Sequence, residues 1–513
     1  MHTSARHVSA IALALGSLTA SASAHASGLE IPDNGTVAFG RAGAFVTRAS
    51  DATAVIHNVA ALVGLPGVQV HIGTNVGFLH HCFQREGNYP SETEMSIYND
   101  GTVFQGSSYS NGSTPYPQVC NNFNASVTPS LALSYRISRR VAVGFAAWGP
   151  NTSGTPQIFS DTVTLSNGQL APSPVRYMVY EKQLLMVYLQ FAASFAIMPW
   201  LRIGASVQPA YATFRFRTMS NSVAASSQSP DSDLSIDLNA HGWLLAGQVA
   251  TQILPSPYFS LGAQLRMNPE VHLQGTGDVV AQVYHSNPME QERSQFSVDR
   301  MTVPLPWSIR AGARFSLPRA GRPHNIDPNY DPMTDDVFDL EATFAWEGTS
   351  RMSHVLLENS GLISIGGLRV PAPATVPMDS DFRDVYGFRV GGDVNIVPGR
   401  FTMRAGFAFD TAAEQSQLAQ IHLPGYQTYS IHGGASVRFG PITANVGYAH
   451  VFMAGLDASS MAPEPGTRAV TSVGGAVSMQ QCEGSAGIGA CQINRGVYSG
   501  ALDLLSVSLS ARF

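Results

Sequence analysis

The feature that most restricts the fold of this chain is an alternation of apolar and polar residues over segments of about ten residues. In 401–409 every second residue is apolar, and Arg404 lies among the residues between them. The segments 307–315 and 338–346 repeat the pattern, again with charged residues at polar positions. Because successive side chains of an extended strand point to opposite faces, these segments are predicted to be strands with one apolar face and one charged face.

A low content of charge indicates which face is buried. Only 12% of the 513 residues are charged, about half of the share that soluble proteins carry, so part of the surface is expected to face lipid. After residue 26 no segment offers the ~20 consecutive apolar residues that a spanning helix needs. An arginine facing the middle of the lipid would cost about 2–4 kcal/mol. The sequence therefore predicts an all-β chain that forms a transmembrane antiparallel β-barrel with its charged faces inside.

The net charge argues against a nucleic-acid partner. It is −6, from 29 Lys and Arg against 35 Asp and Glu, whereas binding to a phosphate backbone requires clustered positive charge. We therefore expect no contact with nucleic acid.

About fourteen strands are expected from the alternation and from the turn residues between segments. Their connections are alternately short and long, as in outer-membrane barrels with periplasmic turns and exterior loops. An even number of strands places both mature termini in the periplasm, and the connection 318–335 is the exception, because it is long on that side. The segments are 66–81, 127–136, 140–149, 183–198, 200–217, 240–254, 257–276, 300–317, 336–352, 382–397, 399–411, 425–439, 441–454 and 497–513.

The two ends of the sequence resemble targeting signals. Residues 1–26 are typical of a secretory signal peptide, with a short apolar run followed by small residues before Ser27. The last strand ends on Phe513, which resembles the signal that the barrel-assembly machinery of Gram-negative bacteria recognises. We therefore expect a multi-pass protein of the outer membrane.

The residues before the first strand have a different character. Fourteen strands enclose a lumen too wide for wall side chains to fill, so the barrel is either open or plugged. Residues 27–65 do not alternate and are rich in small residues. They are predicted to form a plug inside the barrel 66–513, tied to its wall by Arg41 and Asp51.

Several short motifs resemble one family, the outer-membrane transporters of long-chain fatty acids and other hydrophobic compounds (FadL/TodX type). Matches to the family's N-terminal hatch signature are Gly40-Arg41-Ala42, Asp51-Ala52-Thr53, and Asn58 with Ala60. Val59 and Ala61 replace the Pro and Gly that this signature usually contains. Later matches, in the same order along the chain, are Gly242-Trp243, Phe259-Ser260-Leu261-Gly262, Leu305-Pro306-Trp307, Arg404-Ala405-Gly406 and Gly447-Tyr448-Ala449-His450-Val451-Phe452.

The resemblance implies a monomeric barrel closed by an N-terminal hatch. A fatty acid or aromatic hydrocarbon would be captured among exterior loops, held in a pocket above the hatch, and released sideways into outer-membrane lipid. A general solute porin is the first alternative, and an outer-membrane lipid hydrolase is a weaker one. No G-x-S-x-G or H-E-x-x-H motif occurs in the sequence, so no enzymatic activity is expected.

Strand parity supplies candidate ligand-binding residues. A carboxylate held in an apolar pocket needs a cation, and parity also places Arg202 and Arg438 inward. Five inward arginines are the candidates for binding: Arg266, Arg310, Arg314, Arg389 and Arg404. Phe39 and Phe45 of the hatch are candidates for lining the pocket, and the alternative is that they form the core of the plug itself. For any single arginine, the favoured alternative is an internal charge ladder with acids such as Glu341 and Asp393.

The four cysteines lie in two of the long loops. We predict the disulfides Cys82–Cys120 and Cys482–Cys491, although four cysteines allow three pairings. Metal binding at His80-His81-Cys82 is disfavoured, since no fourth ligand lies at zinc spacing, so we expect no metal and no cofactor.

One acidic motif lies in the long periplasmic connection. Asp327-x-Asn329-x-Asp331 lacks the Gly and the closing Glu of a calcium loop, and it is expected to form a proline-rich turn.

Overall fold

The structure is a computed structural model. It describes residues 34–89, 101–104, 109, 111–122, 125–150, 157–221, 230, 233–327, 329–380, 382–414, 419, 421, 425–458 and 493–513. The proposed signal peptide 1–26, the hatch residues 27–33, and Cys482 and Cys491 lie outside the described residues. Among the described residues, no helix combines the length and the apolar character needed to cross a membrane.

Fourteen antiparallel strands pair in sequence order and form a closed ring, as predicted. The last strand pairs with the first along 17 residue pairs, from Gln69↔Arg512 to Arg85↔Gly496, and this pairing closes the barrel. The ring strands are β1 (Val68–Arg85), β3 (Ala125–Arg136), β4 (Val141–Trp148), β8 (Glu181–Met198), β9 (Leu201–Asn221), β10 (Asp233–Ile253), β11 (Phe259–Met267), β14 (Ser308–Pro318), β15 (Asp336–Glu347), β20 (Val385–Val397), β21 (Phe401–Asp410), β22 (Thr428–Phe439), β23 (Ile442–Asp457) and β24 (Gly496–Arg512).

The alternation in the sequence is the alternation between the two faces of the wall. Ile309, Leu340 and Phe407 are exposed on the outside, whereas Arg314 and Arg404 are buried inside. An outer face of this composition suits lipid, and an inner face that carries arginines requires acidic or polar partners inside the ring.

The remaining strands lie at one end of the ring, which we call the loop end; the opposite end, where most connections are short, is the turn end. These strands are β2 (Gln118–Cys120), β5 (Gln157–Ile158), β6 (Thr162–Thr164), β7 (Leu170–Pro172), β12 (Glu270–Ala281), β13 (Glu292–Pro304), β16 (His354–Ser360), β17 (Leu362–Ile365), β18 (Leu368–Pro371) and β19 (Thr375–Asp379). The helices are short: α1 (Thr36–Phe39), α2 (Ala54–His57), α3 (Pro332–Asp335), and the 3-10 helices Val59–Gly64 and Thr349–Ser353.

Three predicted strands are interrupted at a similar height in the wall. The segment 257–276 breaks between β11 and β12, and 300–317 breaks between β13 and β14. Pro269 and Pro306 lie at these breaks, because proline lacks the N–H group that a central strand donates to its neighbour. The segment 336–352 ends at Glu347 and passes into the 3-10 helix Thr349–Ser353.

Beyond these breaks the same sheet continues with new strand pairings, and we call this part of it the loop-end sheet. It consists of β12, β13, β16 and β19, joined to the loop-end half of β10. Its inner face is apolar, but its outer face carries polar pairs such as Asp278–Gln295 and Arg300–Glu358. The ring portions β11, β14, β15 and β20 span 9 to 13 residues, close to the ~9–11 that cross a bilayer. We infer that the loop-end sheet stands in water outside the membrane.

Candidate ligand pathway through the barrel

Residues 34–65, which we call the N-terminal segment, lie inside the ring and contact its inner face on several sides. Wall glycines allow this close approach. A Cβ atom on Gly406 would lie 2.3 Å from the carbonyl carbon of Arg41, and one on Gly204 would lie 2.7 Å from the backbone nitrogen of Ala60. A glycine of the segment does the same for a wall side chain: a Cβ atom on Gly40 would lie 2.7 Å from the side chain of Arg404.

A buried charge cluster joins the segment to the wall. Asp339 and Asp393 are direct partners on neighbouring strands, and two carboxylates so placed repel each other. Arg41 resolves this repulsion, since its Nη1 atom lies 2.7 Å from an oxygen of each carboxylate. Arg48 Nη1 lies 3.0 Å from Asp339 Oδ2 and also pairs with Asp393. Glu341 accepts hydrogen bonds from the backbone N–H groups of residues 47 and 48, at 2.8 and 2.9 Å.

Uncharged wall residues bind the backbone of the segment. Gln252 Nε2 donates to the carbonyl of Thr47 at 2.7 Å, and Gln190 Nε2 donates to that of Val55. Sequence reasoning did not single out these glutamines or Arg48. For the two glutamines, inward parity on their strands was the available signal, but parity does not show which inward residue contacts the segment. Arg48 lies in the segment itself, where strand parity does not apply.

The other predicted hatch residues have local roles. Asn58 donates to the carbonyls of Val46 and Thr251, and its Oδ1 accepts from the backbone of Ala60 at 3.0 Å. Asp51 differs from expectation, since its hydrogen bonds are to the backbone and hydroxyl of Thr53 within the segment rather than to the wall. A carboxylate two residues before a free N–H group closes a local turn more readily than it reaches a strand.

The two predicted phenylalanines lie in different places. Phe39 is fully buried against β22 to β24, where its carbonyl oxygen lies 2.7 Å from His432 Nδ1. Phe45 packs edge-on against His57, with ring centres 5.5 Å apart, and belongs to the main apolar cluster of the barrel.

That cluster, which we call the apolar column, extends from the N-terminal segment to the loop end. It begins at residues such as Val55 and Leu62 and includes inward side chains of the wall and the apolar face of the loop-end sheet. Its larger wall members include Met186, Tyr188, Phe216, Leu238, Leu244, Leu273, Phe296, Met301 and Leu357. All of these are buried, so the column is a continuous apolar environment inside the barrel.

An arginine and two aromatic rings border the column near the segment. The rings of Trp148 and Tyr188 stack with centres 4.7 Å apart. The guanidinium of Arg266 lies 4.7 Å from the centre of the Trp148 ring, and its Nη2 lies 3.4 Å from the carbonyl oxygen of Ile56. Among the predicted arginines, Arg266 therefore contacts an aromatic ring at the border of the column.

The other predicted arginines are also inside the ring. Arg314 pairs with Asp336 at 2.6 Å and Asp339 at 3.1 Å, and Arg389 pairs with Asp410 at 2.9 Å. Arg404 lies 3.4 Å from Asp393 and donates to Ser436 at 2.6 Å. Arg310 is buried on β14 beside Gln264 of β11.

The wall is interrupted next to Trp148. The strand β4 ends at this residue, whereas its neighbours β3 and β8 continue toward the loop end through 125–130 and 181–187. These stretches pair with β1 and β9, and no pairing between them is present in the described part of the chain; β5 adds only Gln157 and Ile158 to the edge of β8. Asn34, the first described residue, donates to the carbonyl of Gly149 at 2.8 Å beside this interruption.

A second apolar cluster, rich in tyrosine, closes over the loop end. It unites residues from several loops with β1 and β24, among them Phe83, Tyr89, Phe104, Tyr109, Phe159, Tyr177, Tyr284, Tyr426 and Tyr498. The loops are therefore packed against one another rather than separate.

The disulfide Cys82–Cys120 is present, as predicted, and joins β1 to β2. His80 lies beside it, with Nε2 at 3.3 Å from Cys82 Sγ, and His81 Nε2 lies 2.6 Å from the hydroxyl oxygen of Tyr426. Both sulfurs of the group His80, Cys82 and Cys120 are bonded to each other, so they do not offer thiolate ligands.

Comparisons with known proteins agree with this architecture. The family described as "Outer membrane protein transport protein (OMPP1/FadL/TodX)" matches residues 17–495. A FadL homologue from Pseudomonas aeruginosa is 14% identical with a TM-score of 0.67, covering 94% of this chain and 99% of that chain.

Two solved toluene transporters are also similar. TbuX of Ralstonia pickettii is 14% identical with a TM-score of 0.56, covering 93% of this chain and 98% of its own. TodX of P. putida is 11% identical with a TM-score of 0.58, covering 95% and 99%. No curated protein matches the chain at a significant level. With the closed fourteen-stranded ring and the family match over most of its length, the chain belongs to the OMPP1/FadL/TodX family of outer-membrane transporters of hydrophobic compounds.

Proposed function

We propose that the protein takes up long-chain fatty acids passively across the outer membrane, with the N-terminal segment as the hatch that closes the barrel. In this proposal residues 1–26 are a removed signal peptide, the turn end and both mature termini face the periplasm, and the protein works as a monomer. Phe513 would be the residue that the barrel-assembly machinery recognises.

The apolar column is the observation that carries the proposal. A chain of methylene groups gains about 0.8 kcal/mol for each CH₂ group that it buries, and the column offers buried apolar side chains from the segment to the loop-end sheet. A general solute porin needs a polar, water-filled lumen, so the column favours a hydrophobic cargo over small hydrophilic solutes.

The interruption beyond Trp148 supports a sideways exit. It lies beside the Trp148–Tyr188 stack and hence beside the column, so an apolar molecule displaced from the column would reach lipid without crossing the hatch. The charge cluster around Arg41 supports a hatch that stays in place, because breaking a buried ion pair is costly.

Direct binding measurements test the proposal. Lipid extraction and mass spectrometry of the purified protein should find bound fatty acid, and radiolabelled oleate should bind at low micromolar concentration. Failure to bind oleate, other fatty acids and toluene alike would refute transport of hydrophobic compounds by this chain.

A matched pair of variants tests the column. Leu238→Asp places a carboxylate in the column, and oleate binding should weaken about tenfold or more, because an unpaired buried charge is strongly disfavoured. Asn239→Asp places the same group on the adjacent, exposed residue of β10 and should leave binding unchanged. Equal affinities of the two variants would exclude the column as the binding site.

Arg266 separates the two substrate classes. A carboxylate gains a charge-assisted bond from a guanidinium, and a hydrocarbon gains none. Arg266→Ala should therefore weaken oleate binding and leave toluene binding unchanged if Arg266 holds the head group. Loss of toluene binding alone would point instead to aromatic hydrocarbons and to the contact of Arg266 with Trp148.

A further inference from the structure

The long connection at the turn end is the feature that the transport route does not explain. Residues 319–335, which we call the strap, link β14 to β15, and antiparallel neighbours require only a short turn. The strap is described except for residue 328. Its acidic motif does not form a calcium loop, since Asp331 pairs with arginines and Asp327 lies 3.0 Å from His324.

One half of the strap is fixed to the wall near β9 and β11. Asn325 Nδ2 donates to the carbonyl of Ser256 at 3.0 Å and to that of Phe259 at 3.3 Å. The carbonyl oxygen of Asn325 accepts from Arg202 Nη2 at 3.3 Å. Asn325 is therefore an anchor on one side of the ring.

The other half is fixed to the opposite side. Asp331 pairs with Arg438 of β22, and Arg512 Nη1 of β24 lies 3.3 Å from Asp331 Oδ2. Next to Asp331, Asn395 Nδ2 of β20 donates to the carbonyl of Pro332 at 2.7 Å. Arg202 lies on the fifth of the fourteen ring strands and Arg438 on the twelfth, so the two lie on opposite sides of the ring. The strap thus crosses the barrel rather than running along its rim.

The strap lies against the same wall groups that hold the N-terminal segment. Gln252 donates to the carbonyl of Thr47 and accepts from Arg202 Nη1 at 2.8 Å, while Arg202 also holds Asn325. A second connection runs from Arg48 through Asp339 to Arg314, whose Nη2 lies 3.0 Å from the hydroxyl of Tyr330 in the strap.

A small cavity separates the two layers. It has a volume of about 40 Å³ and is lined by residues of the segment, such as Ala61, and of the strap, such as Asn325 and Asp331. A cavity of this size holds one or a few water molecules. It offers no room for a hydrophobic ligand.

We propose that the strap is a second closure of the barrel, placed beneath the N-terminal segment and latched by Asp331 to Arg438 and Arg512. The axial route is then closed twice in series, so that the cargo leaves through the side of the wall even when the segment shifts. The proposal rests on the proposed function for the sideways route, but the closure itself needs no ligand to be measured.

Cysteine labelling tests the closure. In Ala61→Cys, a charged, water-soluble maleimide should react slowly, because the strap covers the cavity from the turn end. Adding Asp331→Ala should speed the reaction about tenfold or more, since a strap that has lost one anchor opens more often. Peptide mass spectrometry assigns the label to residue 61 and separates it from native cysteines.

Controls make each outcome decisive. Asp327→Ala removes a carboxylate from the same strap whose partner is the local His324, and labelling should stay slow. If Asp331→Ala fails to fold, Asn325→Ala releases the opposite anchor and should give the same acceleration. Fast labelling with the strap intact, or equal rates with and without Asp331, would overturn the closure. Oleate binding, measured on the same proteins, reports the proposed function separately.

Discussion

At the scale of single residues, the buried charges on the inner face of the barrel are shared between the wall and the N-terminal segment. Asp339 and Asp393 face each other across two strands, and the cations between them come from the N-terminal segment. The segment thus supplies two of the cations around these carboxylates, and the wall supplies the others, Arg314 and Arg404.

Replacing Arg41 measures this dependence. Arg41→Ala should lower the free energy of unfolding by about 3 kcal/mol, the low end for breaking a buried ion pair, because it removes one of the cations that Asp339 and Asp393 share while Arg48 remains. Urea titration in lipid vesicles gives this value. The exposed pair Arg300–Glu358 is the control, and Arg300→Ala should cost about 0–1 kcal/mol. Equal losses for both variants would contradict a structural role of the cluster.

The latch of the strap has a predicted dependence on pH. Burial by itself would raise the pKa of Asp331, but the bonds from Arg438 and the charge of Arg512 hold it below its usual value. A depressed folded-state pKa adds stability above the unfolded-state pKa of about 3.9, and this stability is lost as pH falls through the folded-state value.

Thermal denaturation in detergent shows that dependence. Between about pH 5 and 8, the melting temperature of the wild type should exceed that of Asp331→Ala by a constant amount. This difference should shrink below about pH 3.9. A difference that instead grows in acid would show that the carboxylate is not held ionised by the arginines.

At the scale of elements, the strands could be predicted because apolar and polar residues alternate with a period of two. The interruptions of the strands could be predicted only in part. Proline at 269 and 306 gave a local signal of the breaks, yet the segments around them alternate as one strand. The sheet continues past the breaks with new partners, because β13 pairs with β16 while β14 pairs with β15. The alternation within one segment does not show which distant strand it will pair with.

Wall glycines show how two elements fit together. Gly406→Ala places a methyl group against the backbone of Arg41, and such overpacking should cost about 1–3 kcal/mol in the free energy of unfolding. Gly433→Ala, on the neighbouring strand β22, meets nothing within 4 Å and should have little effect. Equal stability of the two variants, measured by urea titration, would show that the segment does not press on the wall there.

At the scale of the whole molecule, the outer surface changes from apolar to polar where the ring passes into the loop-end sheet. Leu340 is exposed on β15, on the turn-end side of the break, and Leu356 is exposed on β16, on the loop-end side. If the break marks the membrane border, the same substitution should have different costs at the two positions.

Leu340→Arg should destabilise the folded protein in vesicles by about 2–4 kcal/mol, as expected for an arginine that faces the lipid midplane. Leu356→Arg should cost far less, because its side chain would lie in water. Equal costs in urea titrations would place the loop-end sheet inside the membrane.

The sequence alone determined the class of fold, because strand period and lipid solvation act on each segment independently. Inward arginines such as Arg314, Arg389 and Arg404 followed from the same parity, and Cys82 with Cys120 followed from their position in one loop. The tertiary structure decided which charges meet. Arg48, Gln252 and Asp331 find their partners only after the ring has closed, when residues far apart in the chain share one buried space.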